Sequence, residues 1–110
     1  MDPQKLYETL KKSQEPKGYY FNYNTNLVFE LLQNLIAIKD QIGYMACPCR
    51  LNSGDKENDK DIICPCQYRE EDVKEFGTCY CGLYVSKENY ENKIAHTYIP
   101  DRRHPEKILL

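Results

Sequence analysis

Every cysteine of the chain belongs to a Cys-x-Cys pair: Cys47-Pro48-Cys49, Cys64-Pro65-Cys66 and Cys79-Tyr80-Cys81. Thiolates grouped in this way suit a soft metal centre, because sulfur ligands select zinc, copper(I) or iron–sulfur clusters over harder ions. Six sulfurs exceed by two what one tetrahedral ion or one cubane cluster takes up. The surplus pair is therefore the first pointer to function.

Three readings of the six sulfurs follow. Structural zinc generally sits in Cys-x2-Cys knuckles, and three Cys-x-Cys pairs both fit that geometry poorly and overfill the ion; a zinc-binding interaction module is the outer alternative. Structural disulfides are disfavoured, since cysteines one residue apart rarely bond each other and a reducing compartment opposes them. An iron–sulfur cluster on four thiolates leaves two cysteines that can form a redox-active disulfide beside it. That combination has a chemical purpose. A disulfide needs two electrons, whereas an iron–sulfur donor delivers one at a time, and an adjacent cluster offers a way to hold the half-reduced state. If the extra cysteines are only spare ligands, the chain is instead a non-enzymatic electron-transfer or cluster-carrier protein.

The elements that must position these sulfurs are mainly helical. Asp2 as N-cap, Pro3 in the first turn and a Leu6/Tyr7/Leu10 stripe predict a helix over 3–14, ended by Pro16 and Gly18, within an N-terminal segment 1–17. An aromatic-rich turn or extended connector covers 18–24. The main helix runs from Thr25 or Asn26 to Gln41: Leu27, Leu31 and Leu35 form one row, Val28, Leu32 and Ile36 an adjacent one, and Gly43 is the expected C-terminal cap. Its end leads directly to Cys47. Residues 50–63 read as a loop with a charged, solvated middle, returning inward at Ile62 and Ile63. A short helix over 70–76 ends at Gly77, residues 79–85 form a turn or short strand, 86–94 a helix capped by Ser86, and 96–110 an irregular tail. The expectation is one small, mainly α-helical domain spanning 1–110, folded around its cysteine-bound centre.

Composition narrows the setting. Of 110 residues, 41% are hydrophobic and 29% charged, the range of a globular domain. With 15 basic against 17 acidic residues and no basic stripe, nothing favours a nucleic-acid partner. The apolar stretch from Leu27 to Ile38 is broken by Glu30, Gln33 and Asn34, so it does not span a membrane. The opening residues Met1 to Leu6 lack the features of a signal peptide. A cytoplasmic location is expected, where paired cysteines bind metal or do redox work.

Two Cys-Pro-Cys pairs followed by Cys-x-Cys, with the Leu27–Gly43 helix before them and Arg50 directly after Cys49, resemble the catalytic subunit of ferredoxin:thioredoxin reductase. The resemblance covers about residues 18–87. It implies that Cys47, Cys64, Cys66 and Cys79 ligate a 4Fe–4S cluster and that Cys49–Cys81 is the redox disulfide. It further implies that Cys49 is the outer sulfur that attacks the target, with Cys81 kept near the cluster. Ferredoxin or a similar one-electron carrier would be the donor, and thioredoxin or another disulfide protein the acceptor. A second, variable-type subunit is also implied. Alternation along the chain is compatible with this division, since sulfurs two positions apart can face opposite sides.

The chain departs from the plant and cyanobacterial pattern in two respects. The gaps between pairs are 14 and 12 residues, the first shorter and the second longer than in those enzymes. Tyr80 stands where they carry a histidine inside the third pair. A phenol, whose ordinary pKa is near ~10, does not shuttle protons at neutral pH, though it can donate a hydrogen bond to a thiolate. His96 and His104 are the candidates to stand in for the histidine, against a plain surface placement. These departures point to an archaeal or anaerobic-bacterial relative with a target other than thioredoxin.

Four neighbours carry secondary expectations. Pro48 and Pro65 each remove an amide that would otherwise donate to a cluster sulfur, which favours a low potential. Arg50 and Arg69 either act electrostatically on Cys49 and the cluster or sit exposed, paired with Glu70, Glu71 and Asp72. Gly82 permits close packing at the centre or serves a turn.

Overall fold

Two capped helices begin the chain in the computed structural model, which describes residues 2–94 and 98–103. Helix α1 (Pro3–Gln14) starts where the Asp2 carboxylate accepts the Gln4 amide at 3.0 Å, and it buries Leu6. A single 3-10 turn, Glu15–Lys17, follows. Helix α2 (Thr25–Ile42) is capped by the Asn24 side chain, which accepts the Leu27 amide at 3.2 Å. At its far end Gly43 takes the left-handed conformation, φ +89°, and its amide closes on Lys39 O. Val28, Leu31, Leu32 and Leu35 are buried, so the two leucine-rich rows read from the sequence do face the core.

Between these helices lies strand β1 (Tyr20–Phe21), which pairs antiparallel with β2 (Tyr84–Val85), Tyr20 opposite Val85 and Phe21 opposite Tyr84. An aromatic stack runs through the junction: Tyr7 lies 4.8 Å from Phe21 and 5.0 Å from Phe29, and Phe21 lies 5.4 Å from Tyr84. The two-residue sheet ties the third cysteine pair to the helical core. Helix α3 (Arg69–Phe76) starts one residue earlier than the sequence predicts, and α4 (Lys87–Asn92), capped by Ser86, is shorter at both ends. The domain is thus small and partly helical, with irregular segments carrying the cysteines.

The charged loop departs most from expectation. Residues 50–63 were expected to be solvated in their middle, yet Asp59 and Asp61 are essentially inaccessible to solvent. Asp59 accepts the Tyr44 hydroxyl and both the amide and hydroxyl of Ser53. Asp61 accepts the Tyr68 hydroxyl at 2.6 Å and Arg103 Nε at 3.0 Å. Arg103 also faces Asp59 at 3.7 Å and donates to the carbonyls of Leu51 and Asn58. In the described part of the tail, 98–103, the backbone is irregular but the side chains are engaged. Its three successive residues Asp101, Arg102 and Arg103 each close an ion pair, with Arg50, Asp72 and Asp61 respectively. Buried charge is tolerated at Asp59 and Asp61 because each of these carboxylates gathers several donors.

Arg103→Met is expected to destabilise the fold by about 3–5 kcal/mol in urea denaturation, because it strands buried carboxylates beside an uncharged side chain. Retention of wild-type stability would refute that role for the ion pairs. A pH dependence follows from the same groups. Burial alone would raise the Asp59 and Asp61 carboxyls, but hydrogen bonds from Tyr44 and Ser53, and from Tyr68 and Arg103, outweigh it and hold both below the ordinary range. Their folded values therefore lie under the unfolded value of about 3.9, and the unfolded chain binds the extra protons. Their contribution is complete above that value and fades as pH falls through the folded values. Urea midpoints of wild type and Asp59→Asn, compared across that acid range, should converge as the pH drops; a gap that widens contradicts this linkage.

Candidate iron–sulfur and dithiol site

Backbone pairing brings the three cysteine pairs together. Ala46 and Ile63 form an isolated antiparallel bridge, with Cys47 N donating to Ile62 O and Cys64 N to Met45 O, each at 2.8 Å. The first and second pairs are thereby set side by side, and the Cys64–Pro65 peptide is cis. Thr78 bridges Val85, so Cys79-Tyr80-Cys81-Gly82 forms the tip of a tight hairpin in which Cys79 N donates to Tyr84 O and Gly82 N to Cys79 O. Gly82 has φ +83°, a conformation that makes glycine the natural residue at this reversal. The Asn22 side chain donates to Gly82 O at 2.9 Å, fastening the hairpin to the segment after β1.

Five of the six sulfurs converge on one cleft. Cys47, Cys64, Cys66, Cys79 and Cys81 line a space of about 260 Å³, part of it open to solvent, together with Pro65, Arg69, Tyr80 and Tyr84. Cys47, Cys79 and Cys81 are buried, Cys64 and Cys66 are half-buried, and Cys49 is exposed. Cys81 is the junction: its sulfur lies 3.8 Å from that of Cys79, and the neighbouring thiols of Cys47 and Cys49 push its own pKa well up. Cys49 thus stands outside the cleft but next to the buried thiol that the resemblance pairs with it.

The local electrostatics differ from sulfur to sulfur. Burial pushes the Cys64 thiol well above its ordinary value and lifts Cys66 to about 11, so both need a cation to become thiolates. Cys79 is lowered, first by its hydrogen bond with Cys81 and then, against burial, by the amides of Tyr84, Gly82 and Leu83. The Tyr84 amide reaches its sulfur at 3.3 Å. Cys49 is lowered, chiefly by the Cys81 thiol and to a smaller extent by Arg50. The amides withheld by the two prolines are thus matched by a nest of amides on the hairpin. Soft, converging thiols, amides aimed at one of them and no carboxylate among the described lining residues together fit an iron–sulfur cluster.

Neither arginine is exposed, contrary to one placement weighed in the sequence: Arg50 is buried and Arg69 half-buried. The Arg50 guanidinium lies 4.3 Å from the Tyr80 ring and 4.9 Å from Tyr68, hydrogen-bonded to Asp101 and 3.9 Å from Asp72. Arg69 lies 3.7 Å over Tyr19 and 4.8 Å from the Tyr84 ring, and donates to Gln14 at 2.7 Å. Tyr80 is held protonated, its pKa raised by burial first and then by Asp101. Its ring braces the Arg50 guanidinium. His96 and His104, the candidates to replace the family's histidine, lie outside the described residues. The roles of Tyr84, Asp101 and Arg102 are absent from the sequence reading; no local motif announces them.

Hairpin, bridge and cleft together define a cysteine-centred redox fold. A family model described as ferredoxin thioredoxin reductase catalytic beta chain matches residues 2–102, and the chain belongs to that family. It is accordingly a catalytic chain of the oxidoreductase class. No curated protein matches it in a direct search. Among the described residues, no helix is long and apolar enough to cross a membrane.

Proposed function

We propose that this chain reduces a protein disulfide with single electrons from ferredoxin or a similar carrier. Cys47, Cys64, Cys66 and Cys79 hold a 4Fe–4S cluster in the cleft, and Cys49 and Cys81 form the dithiol that meets the target. When bound, the cluster supplies electrons one at a time. The observation that carries this reading is the placement of Cys81. It is buried against the cleft-lining sulfurs yet close to the exposed Cys49.

The sulfur chemistry balances without further groups. The Cys49 thiolate attacks one sulfur of the target disulfide, forming a mixed disulfide and releasing the other target sulfur, which takes up a proton. Cys81, after giving up its proton, attacks Cys49; the second target thiol leaves, and a Cys49–Cys81 disulfide remains. Two electrons and two protons then restore the dithiol. Arg50, fixed by Tyr80, Tyr68 and Asp101, keeps a positive charge beside this exchange. Thioredoxin or a similar protein is the acceptor, a companion subunit accompanies this beta chain, and the reducing cytoplasm is the setting.

Anaerobic purification tests the reading. About four iron and four sulfide per chain are expected, and thiol titration should find two fewer free cysteines after mild oxidation than after reduction. Stoichiometric zinc without sulfide would support an interaction module instead. A full cluster whose two remaining thiols never pair would support a simple electron carrier.

A further inference from the structure

The Tyr84 hydroxyl is buried in the wall of the cysteine cleft and has no hydrogen-bond partner among the described residues. A buried hydroxyl left unpaired is costly, and native interiors rarely keep one without a reason. Its ring is also held firmly. Backbone pairing sets Tyr84 opposite Phe21, whose ring stacks on it at 5.4 Å and 16°, and the Arg69 guanidinium lies 4.8 Å from its centroid. The hydroxyl therefore cannot swing out to find water without breaking the β1–β2 junction.

We propose that Tyr84 Oη donates a hydrogen bond to a sulfur of the iron–sulfur centre and so helps to set its reduction potential. This rests on the cluster reading above. Tyr84 lines the cleft together with five cysteines, and a sulfur acceptor held there supplies the partner that the described residues do not. A phenol, with an ordinary pKa of about 10, is protonated at neutral pH and therefore a donor. A donor directed at a cluster sulfur stabilises the added electron, so removing it should lower the potential. Tyr84 is in this sense a positioning and tuning residue; it does not touch the target.

Tyr84→Phe keeps the ring and its stack on Phe21 and deletes only the hydroxyl. Wild type and variant, purified anaerobically, are compared first for iron and sulfide and then by electrochemical titration followed spectroscopically. Equal loading is expected, with a reduced-to-oxidised ratio about 3- to 10-fold lower in the variant at a fixed ambient potential; tenfold corresponds to about 59 mV for a one-electron couple. Resonance Raman spectra in H2O and D2O identify the acceptor. A deuterium shift present only in wild type and confined to bridging modes assigns inorganic sulfide, and one in the terminal modes assigns a cysteine thiolate. Equal potentials and equal deuterium shifts would overturn the proposal and leave the hydroxyl a packing feature. Should the phenylalanine chain fail to take up the cluster, Tyr84→3-fluorotyrosine, a stronger donor of nearly the same shape, decides: the potential rises if the hydroxyl serves a sulfur and stays put if it does not. A wild-type chain without iron and sulfide overturns the parent reading, and this one with it.

Discussion

Cys49→Ser is expected to lose donor-driven disulfide reduction by a factor on the order of 10³ or more, the scale seen when a nucleophile is removed from a concerted unit. Iron and sulfide content should be unchanged. Cys49 is the one exposed cysteine of the six, and a serine hydroxyl does not attack a disulfide at neutral pH. The companion variant Cys81→Ser retains the attacking sulfur but cannot resolve the mixed disulfide, so a covalent adduct with the target should accumulate and be cleaved by added dithiol. Substantial turnover by Cys49→Ser would move the attack to another sulfur and undo the division of roles between the two residues.

Cys79→Ser should behave in the opposite way. Its sulfur is buried at the hairpin tip and receives the Tyr84 amide, and the same hairpin is tied through β2 to the helical core. Loss of this position is expected to abolish cluster uptake and, because metal ligation and folding are linked, to destabilise the chain by about 3 kcal/mol or more, roughly 12 °C in Tm. Sulfide analysis and a thermal scan of the two variants side by side make the test. Cluster retained in Cys79→Ser and lost in Cys49→Ser would reverse the assignment of ligand and nucleophile.

How far the sequence speaks for itself depends on the range of the interaction. Helix α2 was legible because its apolar rows repeat at the helical period and its Asn24 and Gly43 ends carry the residue types that caps require. The sulfurs were legible because residue type and spacing alone announce soft-ligand chemistry. The buried carboxylates were not. Asp59 and Asp61 lie in a run of charges that reads as solvated, and what buries them comes from 15 residues upstream at Tyr44 and 42 residues downstream at Arg103. Arg50 and Asp101, 51 positions apart, are the same kind of case. Strands β1 and β2 have two residues each, too few for alternation to register, so the placement of Tyr84 in the cleft wall was invisible until the pairing was known. Patterns of a few residues reveal helices; only the closed chain reveals which charges meet.

The latch formed by Asp101, Arg102 and Arg103 imposes an order on biosynthesis. All the cysteines leave the ribosome before these residues do, while Asp59 and Asp61 still await the guanidinium that closes over them. Until Arg103 arrives, the loop that carries Asp59 and Asp61 lacks the guanidinium that fastens it to the rest of the domain. Translation that stops short of Asp101 would yield a polypeptide with every cysteine present but without the side chains that pair with Arg50, Asp72 and Asp61, a defect that cellular quality control could detect as persistent local unfolding.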